Sequence, residues 1–503
     1  MGTHFCGIVG KSRKQATTTI DMLPDDVVLH IFDFYRIMDL DPNDLPCHVW
    51  RWNRLTHICQ RWRQIVFASP RRLGLQIYCT HRTPAREVLR CWPALPIVID
   101  FFADNESSAY YALPVEALKH PDRVCSIRID LLNFLFEEMA EVMENPFPIL
   151  ESLTLHSMNA SGDQALPDAF LGGHTPRLQQ VILNACPFPT FPRFLRSARD
   201  LVTLRLLNIS QNRSISAGMM VAGLAELTKL ESLVISFDFP YELRWHTSHP
   251  DQRFAAPPTR TVFPALTRFF FLGARSYMEE FVAQIETPRL TDLRITFFAL
   301  DRVVQVPELF QFICRAEYLK LAEFRRARID FHDIDIKFRF DCPQMEPHHC
   351  VLNLTIRSHY SHWQASMTRL LSQFLGQSSL NVSNVRDLSI ATRAYLWVRD
   401  NNEDPTEWLA FLCQFAAVET LRTYGPLAGI VATALEDSTK DMVTEVLPAL
   451  QFLKLMRHPL TSGALEGFIA ARGLSGRPVT VYNQADDTGF QERPEFFFSP
   501  VPS

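Results

Sequence analysis

Apolar residues recur along this chain at two periods. A six-residue figure, apolar-x-x-apolar-x-apolar, returns as VCSIRI at 124, LESLTL at 150, LQQVIL at 178, LVTLRL at 201, LESLVI at 230, LTRFFF at 266, LTDLRI at 290, AEYLKL at 316, VLNLTI at 351, VRDLSI at 385, VETLRT at 418 and LQFLKL at 450. Side chains alternate across a strand, so these figures predict short strands with one buried face. Between them lie NFLFEEMAEVME, MMVAGLAEL, SYMEEFVAQIE, WQASMTRLLSQFL and EWLAFLCQFAAV, whose apolar residues follow helical spacing. A strand followed by a helix, repeated, places parallel strands on one side and helices on the other.

The figure is that of leucine-rich-repeat-like units. Successive starts are 23 to 36 residues apart, uneven and in five of eleven cases longer than the roughly 20 to 29 residues of that repeat. The expected fold class is therefore α/β, an irregular leucine-rich-repeat-like solenoid over 124–480 with strands on the concave side and helices on the convex side. An ordinary doubly wound α/β sheet also alternates the two elements, but seldom supplies twelve similarly patterned strands. LGLQIYC and LPIVIDFF, within a linking segment at 70–123, add two cap strands. From Val481 the pattern stops, and 481–503 reads as an irregular tail with an apolar knot at Phe496–Phe498.

Ahead of the repeats the period is helical. After a polar tail over 1–20 comes DMLPDDVVLHIFDFYRI, with Pro24 at the first helical position and Asp25 and Asp26 in the first turn, where the helix dipole favours acids. Leu23, Val27 and Ile31 recur at four-residue spacing with Val28, Phe32 and Tyr35 beside them, one broad apolar face. A second pattern, RWNRLTHICQRWRQIVFASP, puts Leu55, Ile58, Cys59, Trp62, Ile65 and Val66 on one helical stripe that Ser69-Pro70 ends. Two such helices bury little alone and need a partner, whether this chain or another.

Composition narrows the class. The chain has 503 residues, 47% apolar, with 50 Lys+Arg against 55 Asp+Glu. A net charge of -5 disfavours a nucleic-acid binder that works by phosphate neutralisation. No apolar run reaches the roughly 18 to 20 residues of a membrane span, and the N-terminus lacks the apolar stretch of a signal peptide. The eleven cysteines are scattered with no CxxC pair, which suits a reducing compartment.

The order Leu23-Pro24, Val27, Ile31-Phe32, then Ile58-Cys59, Arg61-Trp62 and Ile65 resembles the F-box. The match covers about a tenth of the chain, within a short helical module at 21–69. An acidic insert, Asp39 to Pro46, and the Trp50/Trp52 pair make the region between the helices longer than is usual for that family. The continuation SPRRLGLQIYC and CWPALPIVI is similar to fungal F-box proteins. The resemblance implies that Leu23, Pro24, Val27, Ile31, Phe32, Ile58, Trp62 and Ile65 contact a Skp adaptor and through it a cullin-RING ubiquitin ligase. The repeats then hold a protein substrate, and the chain works in the cytoplasm, the nucleus or both. Trp62 has a second reading, packing against Leu73 and the first repeats. An F-box interaction scaffold without ubiquitin transfer is the other reading of the whole.

Catalytic frameworks are absent from the sequence: there is no GxGxxG, GxxxxGK[ST], GxSxG or HExxH. We expect no cofactor, metal or catalytic residue. Cys342, His348, His349 and Cys350 lack the paired spacing of a structural zinc site, and His359 and His362 have no evident third ligand. The repeat strands carry more. At the position flanked by the last two apolar residues of each figure stand Arg128, Thr154, Ile182, Arg205, Val234, Phe270, Arg294, Lys320, Thr355, Ser389, Arg422 and Lys454. Six are basic and none acidic. A long cation simply suits an exposed mid-strand site; a basic inner surface for an acidic or phosphorylated segment, centred on Arg205, Arg294, Lys320, Arg422 and Lys454, is the functional reading. Phe270, Tyr318, Tyr424, Phe452 and Met456 supply possible anchors.

Overall fold

A computed structural model describes residues 20–37, 51–80, 86, 89–90, 94–101, 112–131, 139–157, 165–210, 215–238, 259–298, 305–332, 335–342, 350–357, 382–392, 405–437, 445–456 and 465–484, apart from single positions within these ranges. The insert at 39–46, Trp50, His348, His349, His359, His362, the WQASMTRLLSQFL segment and Phe496–Phe498 lie outside the described residues.

The helices are α1 (Asp25–Ile37), α2 (Arg51–Thr56), α3 (Gln60–Ala68), α4 (Ala112–Leu118), α5 (Arg193–Ser197), α6 (Ala217–Leu224), α7 (Arg275–Ala283), α8 (Pro307–Arg315), α9 (Glu317–Leu321), α10 (Pro405–Leu412), α11 (Leu427–Asp437) and α12 (Glu466–Leu474). The strands up to the middle of the chain are β1 (Ile77–Cys79), β2 (Ile97–Phe101), β3 (Val124–Leu131), β4 (Ser152–Ser157), β5 (Gln180–Asn184), β6 (Thr203–Ile209), β7 (Ser232–Phe237), β8 (Thr261–Val262), β9 (Arg268–Ala274) and β10 (Ile285–Glu286). Beyond them come β11 (Asp292–Phe298), β12 (Arg326–Phe331), β13 (Asp335–Asp341), β14 (Cys350–Arg357), β15 (Asp387–Thr392), β16 (Thr420–Tyr424), β17 (Phe452–Met456) and β18 (Thr480–Gln484).

Sixteen strands form one mostly parallel sheet in the order β1-β2-β3-β4-β5-β6-β7-β9-β11-β14-β13-β12-β15-β16-β17-β18, and β8 and β10 make a separate pair. Eleven of the twelve predicted strands are present, along with both cap strands. Most units share one build. The N–H of its first apolar residue closes a turn onto the carbonyl three residues back, as Leu150 does to Phe147, Leu201 to Ala198, Leu290 to Thr287 and Leu450 to Leu447. The carbonyl of the next residue then accepts two N–H groups from the following unit: Glu231 O takes Thr267 and Arg268, and Glu419 O takes Gln451 and Phe452.

Three expectations are corrected. AEYLKL folds as α9, not a strand: Ala, Glu, Leu and Lys all favour helix, and Glu317 sits in the first turn. The strand of that unit is β12, RARIDF, ten residues on, and β13 turns back beside it antiparallel before β14 rejoins β11. The VLNLTI register is shifted by two, because Leu293 pairs with Leu352 rather than Leu354. At the C-terminus the pattern does not stop at Val481: β18 runs to Gln484 and pairs Leu453 with Val481.

One face of the sheet is sealed by helices. Ile127, Leu153, Leu204, Leu293 and Leu453 are fully buried on it, in one continuous core with Phe281, Phe312, Trp408 and Phe468 from the helices. Neighbouring helices also cap one another. Val306 and Leu465, at the N-caps of α8 and α12, offer no capping side chain. Glu279 of α7 fills the role for α8, accepting from Glu308 N at 3.0 Å and Leu309 N at 2.9 Å. Glu436 of α11 does the same for α12, accepting from Gly467 N and Phe468 N at 3.0 and 3.1 Å. Both satisfy helix N–H groups that have no partner inside the helix.

Two outcomes follow from this packing. Burial pushes the Glu279 carboxyl from its ordinary 4.5 up to about 7, against the pull of its two backbone hydrogen bonds. The folded state therefore holds an extra proton between these values, and stability falls as pH rises from about 4.5 to about 7. Melting temperatures across that window should show the slope, and Glu279→Gln should flatten it. A methyl at Gly223 of α6 would lie 2.2 Å from the Phe191 ring. Gly223→Ala should thus lower stability by about 1–3 kcal/mol in denaturant unfolding, although alanine in a free helix gains about 1 kcal/mol.

Candidate functional sites

The helical module has its own small core. The predicted second helix is broken into α2 and α3, because Cys59 adopts an extended backbone and caps α3, its Sγ accepting from Trp62 N at 3.4 Å. Trp62 then turns inward, its ring edge-on to Phe32 with centroids 4.9 Å apart. Val28, Leu29, Leu55, Ile65 and Val66 complete this core, which continues through Leu73 and Leu75 toward β1. Arg61 ties α3 to the start of α1: its guanidinium donates to the Leu23 carbonyl and to Asp25 Oδ1, the latter at 2.7 Å. Arg72 lies 3.7 Å from Asp33 of α1.

The predicted contact residues consequently divide. Phe32, Trp62 and Ile65 are interior, 1%, 8% and 6% exposed, and leave no surface for another chain. Leu23 is half-buried against the core and Pro24 is exposed. Val27, Ile31 and Ile58 face outward, the last because the break before α3 turns it away from the stripe. Two residues absent from the sequence reading join them: Phe34 and Met22, both 67% exposed. Val27, Ile31 and Phe34 recur at four and three residues along α1, so this helix is apolar on two faces and covers just one. The signal was present in the sequence as an apolar face too broad for a single contact.

The sheet face away from the helices carries the second site. Cross-strand register aligns Asp100, Arg128, Thr154, Ile182, Arg205, Val234, Phe270, Arg294, Asn353, Arg339, Arg328, Ser389, Arg422, Lys454 and Tyr482 in one row across β2 to β18. Arg205, Arg294, Arg422 and Lys454 take their predicted places. Lys320 does not, being exposed on α9, and Tyr318 goes with it. Thr355 is displaced by the shift in β14. The hairpin brings in Arg339 and Arg328 instead, which a search for one fixed figure passes over.

Acids lie closer to this row than its own composition shows. Asp292, two residues before Arg294 on the same face, accepts from its Nε and Nη2 at 3.0 and 3.1 Å. Asp330 Oδ2 lies 2.8 Å from Arg328 Nε, and Asp387 lies 3.0 Å from Arg422 on the neighbouring strand. The Lys454 ammonium stands 5.7 Å over the Tyr482 ring. Exposed or half-exposed pairs of this kind contribute about 0–1 kcal/mol each. Phe270 and Tyr424 are half-buried on this face, Phe452 is at its edge beside Tyr482, and Met456 is buried.

Elsewhere the chemistry is structural. A cavity of about 460 Å³ on the helix side is lined by Arg260, Pro307, Phe310, Gln311, Cys314 and Arg315. Arg260 and Arg315 donate there to the Ala283 and Val282 carbonyls, both at 3.1 Å, and so finish the C-terminal end of α7. Burial raises the Cys79 and Cys125 thiols to about 11 and the Cys186 thiol to about 12, far from the thiolate form a nucleophile needs. Among the described residues no three His, Cys, Asp or Glu side chains are grouped to hold a metal, and no helix is long and apolar enough to cross a membrane.

No protein-family model matches the chain, and no curated protein matches it in sequence. Among solved structures it is similar to a leucine-rich-repeat protein of Leptospira interrogans, at 12% identity and a TM-score of 0.24 over 77% of this chain and 89% of that one. A likeness that weak decides nothing about function.

The module makes a direct prediction. Trp62→Ala should cost about 3–5 kcal/mol of stability, whereas Ile58→Ala should stay within about 0.5 kcal/mol of the parent. Urea unfolding of the two variants measures both.

Proposed function

We propose that this chain is the substrate-recognition subunit of an SCF-type cullin-RING ubiquitin ligase, acting in the cytoplasm, the nucleus or both. The module at 21–69 binds a Skp adaptor, and the helix-free face of the sheet holds a protein substrate. The observation that carries the reading is the outward apolar stripe of Val27, Ile31 and Phe34 on α1, with Met22 and Ile58 also exposed, on a module whose own core is already filled. A large exposed apolar patch marks a surface that another chain covers. Fully burying a side chain of this size is worth about 1.5–3 kcal/mol, so a stripe that begins half-covered gains about 1 kcal/mol per residue on docking. No step of chemistry is assigned to this chain.

Co-purification with adaptor and cullin tests the proposal. Ile31→Asp with Ile58→Asp should weaken adaptor capture more than tenfold, because a buried unpaired carboxylate replaces each apolar contact. The melting temperature should hold, since neither residue belongs to the core. Adaptor capture at parental strength by this folded variant would overturn the assignment. Capture of adaptor without cullin would instead favour an interaction scaffold that transfers no ubiquitin.

A further inference from the structure

Arg205 stands apart within the row. It lies half-buried on β6, with Ile182 of β5 on one side and Val234 of β7 on the other. Its Nε is shut off from solvent and has no hydrogen-bond partner. The charge that acts on it is another cation, Arg268, two strands away on β9 at the position in register with Ser232. Burial first, and the like charge of Arg268 second, lower the Arg205 pKa. Asp292, opposite Arg268 on β11, has both carboxylate oxygens engaged by Arg294. Arg205 and Arg268 thus stand on the same open face on either side of β7, whose Val234 and Ser232 form the floor between them, with Phe270 on β9 opposite Val234. Burying a donor without an acceptor, next to a like charge, costs the free protein stability. An anion lying between the two guanidiniums offsets their like charge.

We propose that Arg205 and Arg268 form an anion seat on the open face, taking from a partner protein a phosphorylated or carboxylate side chain with an apolar group next to it. The inference rests on the reading that this face holds a protein substrate, and it specifies where and by what chemistry. Planar guanidinium forks match the oxygens of phosphate and carboxylate. Val234 and Phe270 receive the apolar flank. Arg294, Arg328 and Arg422, each engaged by an aspartate, frame the face without supplying the seat.

Phenyl phosphate, inorganic phosphate and benzoate, titrated by calorimetry into the full chain at low salt, test the seat. Phenyl phosphate should bind saturably, more tightly than inorganic phosphate, and more weakly as salt rises. Benzoate binding as tightly as phenyl phosphate would identify the anion as an acidic side chain; preference for phenyl phosphate would identify it as a phosphorylated one. Arg205→Gln and Arg268→Gln should each weaken phenyl phosphate at least tenfold, and Arg422→Gln less than about twofold. Arg205→Gln should also melt no lower than the parent without ligand, since it removes an unsatisfied buried group. Absence of saturable phenyl phosphate binding up to about 10 mM, or binding unchanged in the Arg205/Arg268 double variant, would overturn the seat. So would an Arg205→Gln variant that melts well below the parent, which would make Arg205 a packing residue. Because the probes are small molecules, these results judge the seat alone; a seat that binds them while the double variant captures the same proteins as the parent would overturn substrate holding by this face.

Discussion

Register is the constraint on which the rest of this structure depends. In most units a turn ends at the first apolar residue, and in most the carbonyl one residue later accepts two N–H groups from the next unit. Where it occurs, that doubled acceptor fixes where a strand begins relative to its neighbour. Side chains alternate, so a slip of one residue would carry a buried row to the open face and the reverse. With the slip excluded, each position of the repeat becomes a continuous line across the sheet. The leucine lines close against the helices, and a line of mixed polar residues faces out.

The sequence makes most of this legible because the same figure is written many times. It fails where local preference and the figure disagree. AEYLKL satisfies the apolar spacing but is composed of helix formers, and tertiary context does not overrule them; RARIDF and DIKFRFD alternate correctly but lack the leading figure. In the module, the stripe from Leu55 to Val66 is a true pattern laid over a break at Cys59, so every member faces inward except Ile58. Spacing alone assigns one helix there, since a cysteine N-cap has no strong sequence signal. The pairing of Arg294, Arg328 and Arg422 with aspartates was also hidden, because the partners are two residues away or one strand over.

Charge on the open face is therefore arranged differently from what a count of basic residues conveys. Asp292, Asp330 and Asp387 each meet an arginine within 3.0 Å, which orients the long side chains and cancels much of their field. Specificity on such a surface comes from the few places where cancellation is missing and from the aromatic and aliphatic side chains between them. The helix-covered side shows the opposite economy: the carboxylates of Glu279 and Glu436 are committed to capping the next helix, and so lock successive units together.

The antiparallel insertion has a consequence for how the chain is made. Up to β11 each strand of the large sheet can join it as it emerges from the ribosome, against the sheet strand made before it. β12 cannot, because its place is beside β15, and the strand that completes the edge of β11 begins only at Cys350. At synthesis rates of about 5–20 residues per second, the backbone edge of β11 stays unpaired for roughly 3–10 s. An open parallel edge is a template for other chains, which makes this interval the stretch of biosynthesis in which a chaperone has most to protect.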